Sequence, residues 1–388
     1  MRIICILCII FSLSFHQTVF ASDELMEAER TNTIEFLMEK AISDGLIIGG
    51  VVVVGNHNGI LHSISKGRIS PAPDSAPISE YTLFDIASLT KVFATAPALM
   101  KLLEQGRISL MDPLTRWFPE FEGSDHEDIT ILNLLTHTSG LNDIAIPPEE
   151  PLKTAIQKVA NQKILKLPGN RFRYADINFI LLGELVHRAT GISLDRFCQE
   201  QFYTPLKMYN TMFTPPQNPL AVIATTRGDG NELLSGQVQD ENARHLGGVA
   251  GHAGLFSTAF DLARLVRMYL NDGKLDNTRI FSERVVKQMT APYFFSNGNV
   301  VRGLGWDIYS PYSAPKGRSF SEMSFGHTGY SGSSVWIDPQ SDLFVILLTS
   351  RLDHRGTRQF NRLRSNISTL AAMIYSSADK ALTAPKMP

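Results

Sequence analysis

The chain has 388 residues, 44% of them hydrophobic, with 36 basic side chains set against 38 acidic ones. That near balance comes with no basic stripe and no block of like charge, which argues against nucleic acid as a partner. A chain of this length allows one to three domains and buries about three quarters of its unfolded surface, so its core needs no covalent staples.

Met1-Arg2 supplies a short positive start, and Ile3 to Phe15 is almost wholly apolar. Val19-Phe20-Ala21 then places small residues where a signal peptidase cuts, and Ser22-Asp23-Glu24 follows. The pattern predicts a cleavable signal over 1–21 and a mature domain over 22–388, placed in the periplasm or secreted. No later apolar run has membrane-spanning length, so no stable membrane span is expected after cleavage. Cys5 and Cys8 leave with the signal, and the remaining Cys198 reads as a small buried apolar residue.

From Glu24 to Ser43 apolar residues recur at helical spacing and stop at Asp44-Gly45. Leu46 to Gly55 is a β-branched run, Gly55 to Gly59 is rich in turn formers, and Ile60 to Ser65 alternates, which together predict a hairpin. Between Leu110 and about Leu206 the pattern is helical, broken by prolines and without a convincing strand; one helix spans Ile177 to Thr190 and stops at Gly191. Ser334–Ile337 and Leu343–Thr349 predict a second hairpin, and a last helix runs from about Thr357 to Ser376. Strands at both ends with helices between them imply an α+β body, about 22–110 and 245–388, and a mainly helical lobe, about 111–244. A cleft between two such lobes is the default place for a site.

Ser-x-x-Lys occurs four times, at Ser63, Ser88, Ser313 and Ser377. Only Ser88 opens a helix, with Val92, Phe93, Ala96, Leu99, Met100 and Leu103 as the apolar face behind it. Residues three apart on a helix share a face, which brings the Lys91 amine to the Ser88 hydroxyl. Free N–H groups at a helix start favour a developing oxyanion. For Lys91 to act as a base its pKa must fall, through desolvation or neighbouring cations. Pro97 should kink this helix beyond the catalytic turn.

Phe84-Asp85-Ile86-Ala87-Ser88-Leu89-Thr90-Lys91, followed by Leu103 to Pro113 and by Ile129 to Leu141, resembles the serine β-lactamase and penicillin-binding-protein superfamily, in its class C β-lactamase, DD-peptidase and esterase branch. The resemblance covers nearly the whole mature chain and implies a β-lactamase-like fold: an antiparallel sheet flanked by helices, with the inserted helical lobe. It makes Ser88 the nucleophile, Lys91 its partner and Tyr174 the proton relay, provided that cations favour the phenolate. His137, at a helix end running into a turn, is read as structural. Asp176 stands where the superfamily has asparagine; an ionised carboxylate only accepts, so it favours a substrate donor or pairs with Lys91. That weakens any expectation of efficient β-lactamase activity.

Phe325 to Gly332 matches the His-Thr-Gly form of the third motif. By resemblance, His327 and Thr328 bind a carboxylate or adjust local charge, Gly329 lets the strand approach, and the Tyr330 N–H joins that of Ser88 as the oxyanion hole. Asp240 to Ser257, rich in glycine and histidine, resembles a subgroup containing periplasmic penicillin-binding-protein-like enzymes and muropeptide amidases, with His252 set to touch substrate. Its spacing fits no zinc pattern, and no metal or cofactor is expected. The implied activity is hydrolysis through a Ser88 acyl-enzyme, on a small molecule or on cell-wall peptides at a D-Ala-D-Ala end or a muramyl–L-Ala amide. A small-ester esterase, a weak β-lactamase and a non-catalytic cell-wall-binding protein are the alternatives.

Overall fold

The computed structural model describes residues 32–163, 167–216, 222–228, 230–296 and 300–376. The expected signal, Ser377, and the 24–31 portion of the first expected helix lie outside these residues. Eight strands form one antiparallel sheet: β1 (Gly49–Gly55), β2 (Ile60–Gly67), β3 (Phe294–Ser296), β4 (Val300–Arg302), β5 (Asp307–Tyr309), β6 (Phe325–Thr328), β7 (Ser334–Asp338) and β8 (Leu343–Ser350). Their order is β3-β4-β5-β6-β7-β8-β1-β2, so the first strand pairs with the last, Gly49 opposite Ser350 and Val52 opposite Leu347. The turns of the two expected hairpins meet, and the His57 backbone N–H donates to Asp342 Oδ1 at 3.0 Å.

Both faces of this sheet are covered, which explains the unbroken apolar runs in its central strands. Val52, Val54, Val345, Leu347 and Trp336 face one core with α1 (residues 32–43) and α5, the C-terminal helix Thr357–Tyr375. Val51, Val53, Val335, Ile337, Phe344, Ile346 and Leu348 face the other. Alternation with period two puts neighbouring valines in different cores. The second core also takes in α2 (Ala96–Glu104), α3 (Ile177–Thr190) and α4 (Ala259–Leu270). Its members run from Val51 to Leu348. Strands β3, β4 and β5 were not anticipated, being short.

The segment that carries Ser88 departs from a regular α-helix. Ala87–Leu89 form a 3₁₀ turn, Lys91–Thr95 a π-helical turn, and only Ala96 onward is α-helical. Pro97 supplies the reason: it has no N–H for the Phe93 carbonyl, which instead accepts from the buried Tyr203 hydroxyl at 3.1 Å. The wide turn thus lies before Pro97, against the catalytic residues, and not beyond them.

Gly251 fixes a second approach. A Cβ there would collide with the Phe179 carbonyl oxygen of α3, so only glycine lets the 251–255 segment lie against that helix. The Gly251 carbonyl accepts from Thr95 Oγ1 at 2.6 Å, which ties the segment to the π-turn. Gly251→Ala should lower stability by about 2 kcal/mol, the scale of core overpacking. An unchanged urea midpoint would show that this packing is not the constraint described.

Candidate active site

Ser88 and Tyr174 lie in a cleft of about 270 Å³ whose walls come from β6, the turn after it and the start of α5. Asp85, fully buried, builds the nucleophile turn. Its Oδ1 accepts from the Ala87 N–H at 2.8 Å and its Oδ2 from the Gln239 N–H at 2.7 Å. Burial pushes its carboxyl up to about 6. Ala87 itself sits at φ +48°, a conformation held by this carboxylate and by the Thr90 hydroxyl, which donates to the Ala87 carbonyl at 2.6 Å.

Lys91 is completely buried, and its ammonium faces three acceptors. Nζ is 3.0 Å from Ser88 Oγ, 3.0 Å from the His252 carbonyl and 2.7 Å from Asp176 Oδ1. Burial alone would depress the ammonium, but the Asp176 carboxylate and the Tyr174 phenol outweigh it and hold the Lys91 pKa above the ordinary lysine value. The requirement for a low lysine pKa is therefore not met. Of the two readings of Asp176, the structure shows the pairing with Lys91; its side chain remains 32% exposed.

Tyr174 stacks on His137 with ring centroids 4.4 Å apart, and its hydroxyl is within hydrogen-bonding reach of Lys91 and Ser88. Burial raises the phenol, Lys91 opposes this, and Asp176 adds to it, so the net shift is upward. Lys91 does favour the phenolate, but burial outweighs it, so Tyr174 is a phenol at neutral pH. His137 does not reach the nucleophile. Its Nδ1 accepts from the Ala175 N–H at 3.3 Å, and burial keeps it neutral, so it supports Tyr174 from behind.

The third motif lies across the cleft. A Cβ on Gly329 would sit 2.5 Å from the Ile86 carbonyl oxygen, so glycine allows the end of β6 to meet the nucleophile turn. The Tyr330 N–H donates to no backbone carbonyl among the described residues, and the Tyr330 ring stacks on His354 at 4.0 Å. His327 contacts the Thr328 carbonyl through Nδ1 at 2.8 Å. A carbonyl only accepts, so Nδ1 carries the proton and Nε2 is left as an acceptor. Burial, with the nearby Arg302 and Lys91 charges, holds His327 well below the ordinary histidine range. A neutral ring with a bare Nε2 offers a carboxylate no donor, which corrects the carboxylate-binding role expected for it; Thr328 keeps its hydroxyl at the cleft.

Positive charge enters the cleft from residues that the motif search passed over. Arg351 and Arg364 line it, both buried, and neither forms an ion pair among the described residues. Arg364 donates to the Gly329 and Ser333 carbonyls at 2.8 and 2.7 Å, so it also holds the turn that carries Tyr330. Burial and Arg351 bring the Arg364 pKa down to about 9. Arg302 pairs instead with Asp307 at 3.1 Å. Asp307 Oδ2 accepts from Ser313, which gives that Ser-x-x-Lys serine a structural partner.

The glycine-histidine segment ends behind Lys91. The His252 ring is buried, with Nε2 2.8 Å from Asp240 Oδ1, and it does not line the cleft, contrary to the expectation that it touches substrate. Asp240 caps the helix Glu241–His245 by accepting from the Ala243 N–H at 2.7 Å. Asp176, Asp240 and His252 bring their ligand atoms within 4.8 Å of one another, the one group among the described residues with the makings of a metal site. Two of its contacts are already used, by Lys91 and by the His252–Asp240 pair.

A family model described as "Beta-lactamase" matches residues 34–366. A protein of Escherichia coli (strain K12) named "Putative D-alanyl-D-alanine carboxypeptidase" is 32% identical over 307 residues, 70% of this chain and 69% of that protein. Among solved structures, a class C beta-lactamase in complex with cefoxitin superposes with a TM-score of 0.73 at 19% identity, covering 89% of this chain and 99% of that one. EstCE1, a hydrolase with promiscuous acyltransferase activity, gives 0.72 at 22% identity, covering 89% and 100%.

The His252–Asp240 contact has a pH signature. Burial raises the Asp240 carboxyl, but the hydrogen bond and charge of His252 override this and bring it down to about 2. A folded pKa below the unfolded value of about 3.9 stabilises above that value and is lost as pH falls through the folded one. Asp240→Asn should therefore melt below the parent at about pH 6, and the gap should close as pH falls from about 4 towards about 2. A gap unchanged across that window would refute the ion pair.

Proposed function

Because this chain belongs to the beta-lactamase family and is a serine hydrolase, we propose that it cleaves peptidoglycan-derived peptides through a Ser88 acyl-enzyme, outside the cytoplasm. The observation that carries the reading is the buried Lys91 contact with Ser88 at 3.0 Å, at one side of a cleft whose other side holds Arg351 and Arg364 without carboxylate partners. A substrate carboxylate on the leaving-group side supplies the missing negative charge. That is the chemistry of a peptide ending in a free carboxylate, and the name of the Escherichia coli relative agrees with it.

Ser88 Oγ attacks the scissile carbonyl, and the oxyanion is received by the Ser88 and Tyr330 N–H groups. The Tyr174 phenol, beside Ser88 and Lys91, hands a proton to the departing amine and is resupplied with the one that Ser88 released; the proton of the entering water returns to Ser88 Oγ by the same route. Among the described residues no helix is long and apolar enough to cross a membrane. The leader expected over 1–21 is what supports a periplasmic or secreted enzyme.

Mass spectrometry after fluorophosphonate or penicillin should find an adduct on Ser88 of the parent chain and none on Ser88→Ala. A peptide ending in D-Ala-D-Ala should lose roughly tenfold to a hundredfold in kcat/KM when its terminal carboxylate is amidated, the scale of hydrogen bonds to a charged group. Equal turnover of acid and amide would remove the role given to the guanidinium side.

A further inference from the structure

Lys91 poses a proton-accounting problem. Nζ donates to Ser88 Oγ and the His252 carbonyl and lies 2.7 Å from Asp176 Oδ1 in an ion pair, with the Tyr174 phenol beside it. An ammonium in that setting has no lone pair with which to take the Ser88 proton. A carbonyl cannot hold a proton, and Tyr174 is already a phenol. The one neighbour of Lys91 able to accept and keep a proton is Asp176, at 2.7 Å.

We propose that Asp176 is the proton acceptor of this active site, with Lys91 as the carrier between it and Ser88. The step balances. The Ser88 O–H bond breaks as Oγ bonds to the acyl carbon, and the carbonyl π pair moves onto the oxyanion. The released proton joins Lys91 Nζ while another Nζ proton passes to Asp176 Oδ1. Lys91 stays an ammonium and Asp176 becomes a carboxylic acid. Collapse of the intermediate reverses the path and delivers the proton through Lys91 and Tyr174 to the leaving nitrogen. Attack by water in the second half repeats it and restores the Ser88 hydroxyl.

Asp176 faces Lys91 from the nucleophile segment and Tyr174 from its own, with His252 and Asp240 behind it and Asp143 beside it. Asp143 Oδ1 accepts from the Ile177 N–H at 2.9 Å, next to Asp176 at the head of α3. Burial raises the Asp176 carboxyl, but Lys91 and His252 outweigh it and hold it below the ordinary aspartate value at rest; Asp240 and Asp143 act against them, and so does the substrate oxyanion as it forms. Asp240 in turn holds the His252 ring at 2.8 Å, which fixes the carbonyl that aims Lys91.

The inference rests on Ser88 being the nucleophile, and the experiment separates the two. Acylation of Ser88 by a fluorogenic ester is followed from acid to alkaline pH in the parent, Asp176→Asn and Asp176→Glu, with circular dichroism as a check on folding. If Asp176 is the acceptor, Asp176→Asn loses about a hundredfold at neutral pH, within the usual range for general acid–base groups. Its residual rate then climbs only with the lysine ionisation, and Asp176→Glu recovers part of the loss. If Lys91 is the base unaided, the sign reverses. Removing the carboxylate leaves burial to depress the ammonium, so Asp176→Asn acylates as fast as the parent or faster at neutral pH, which overturns the proposal. A slowed Asp176→Asn that keeps the parent's pH profile overturns it too, because it reduces Asp176 to a support for Lys91. No acylation of the parent at Ser88 refutes the nucleophile assignment itself.

Discussion

A buried ammonium with no aqueous alternative governs how this molecule is put together. Lys91 has left water entirely, and an isolated charge in that position costs far more than the fold has to spare. It is tolerable because three separate parts of the chain each bring an oxygen to it: the nucleophile turn, the head of α3 and the glycine-histidine segment. The peculiarities of each part follow from this convergence. The π-turn before Pro97 and the bare Gly251 against α3 let the segments approach closely enough. The capping carboxylate of Asp240 fixes the last of them through the His252 ring.

Around that ammonium the charges are sorted by side. Asp176, Asp240 and Asp143 cluster behind Lys91, while Arg351 and Arg364 stand beyond Thr328. Between them lie groups kept neutral by burial: the Tyr174 phenol and the His137 and His327 rings. His327 shows how this is arranged. Bound to its own neighbour's carbonyl and held well below the ordinary histidine range by burial, it adds no charge to the cleft.

Much of this was legible in the chain itself. Helix periodicity, two hairpins and the order of Ser88, Tyr174 and His327 are local patterns, and local patterns survive in sequence. The short outer strands β3 to β5 have too few residues for alternation to show. The roles of Arg351, Arg364 and Asp240 arise from pairings between segments remote in sequence. The shape of the nucleophile turn was half visible. Pro97 announced a disturbance, but its direction depended on Tyr203, some hundred residues away, reaching the Phe93 carbonyl. The charge states of Tyr174 and Lys91 are hidden for a related reason: the sequence shows which groups are neighbours but not which of them wins.

The pairing of β1 with β8 has a consequence in time. Gly49 finds its partner only in Ser350, and Arg364, which grips the turn bearing Tyr330, lies further on still. Contacts so distant along the chain close late, after most of the loop-closing entropy has been met. A nascent or half-threaded chain therefore carries Ser88 and Lys91 long before it has the backbone N–H of Tyr330 held in place. The proposed nucleophile thus gains its full set of neighbours only when the far end of the polypeptide is in place.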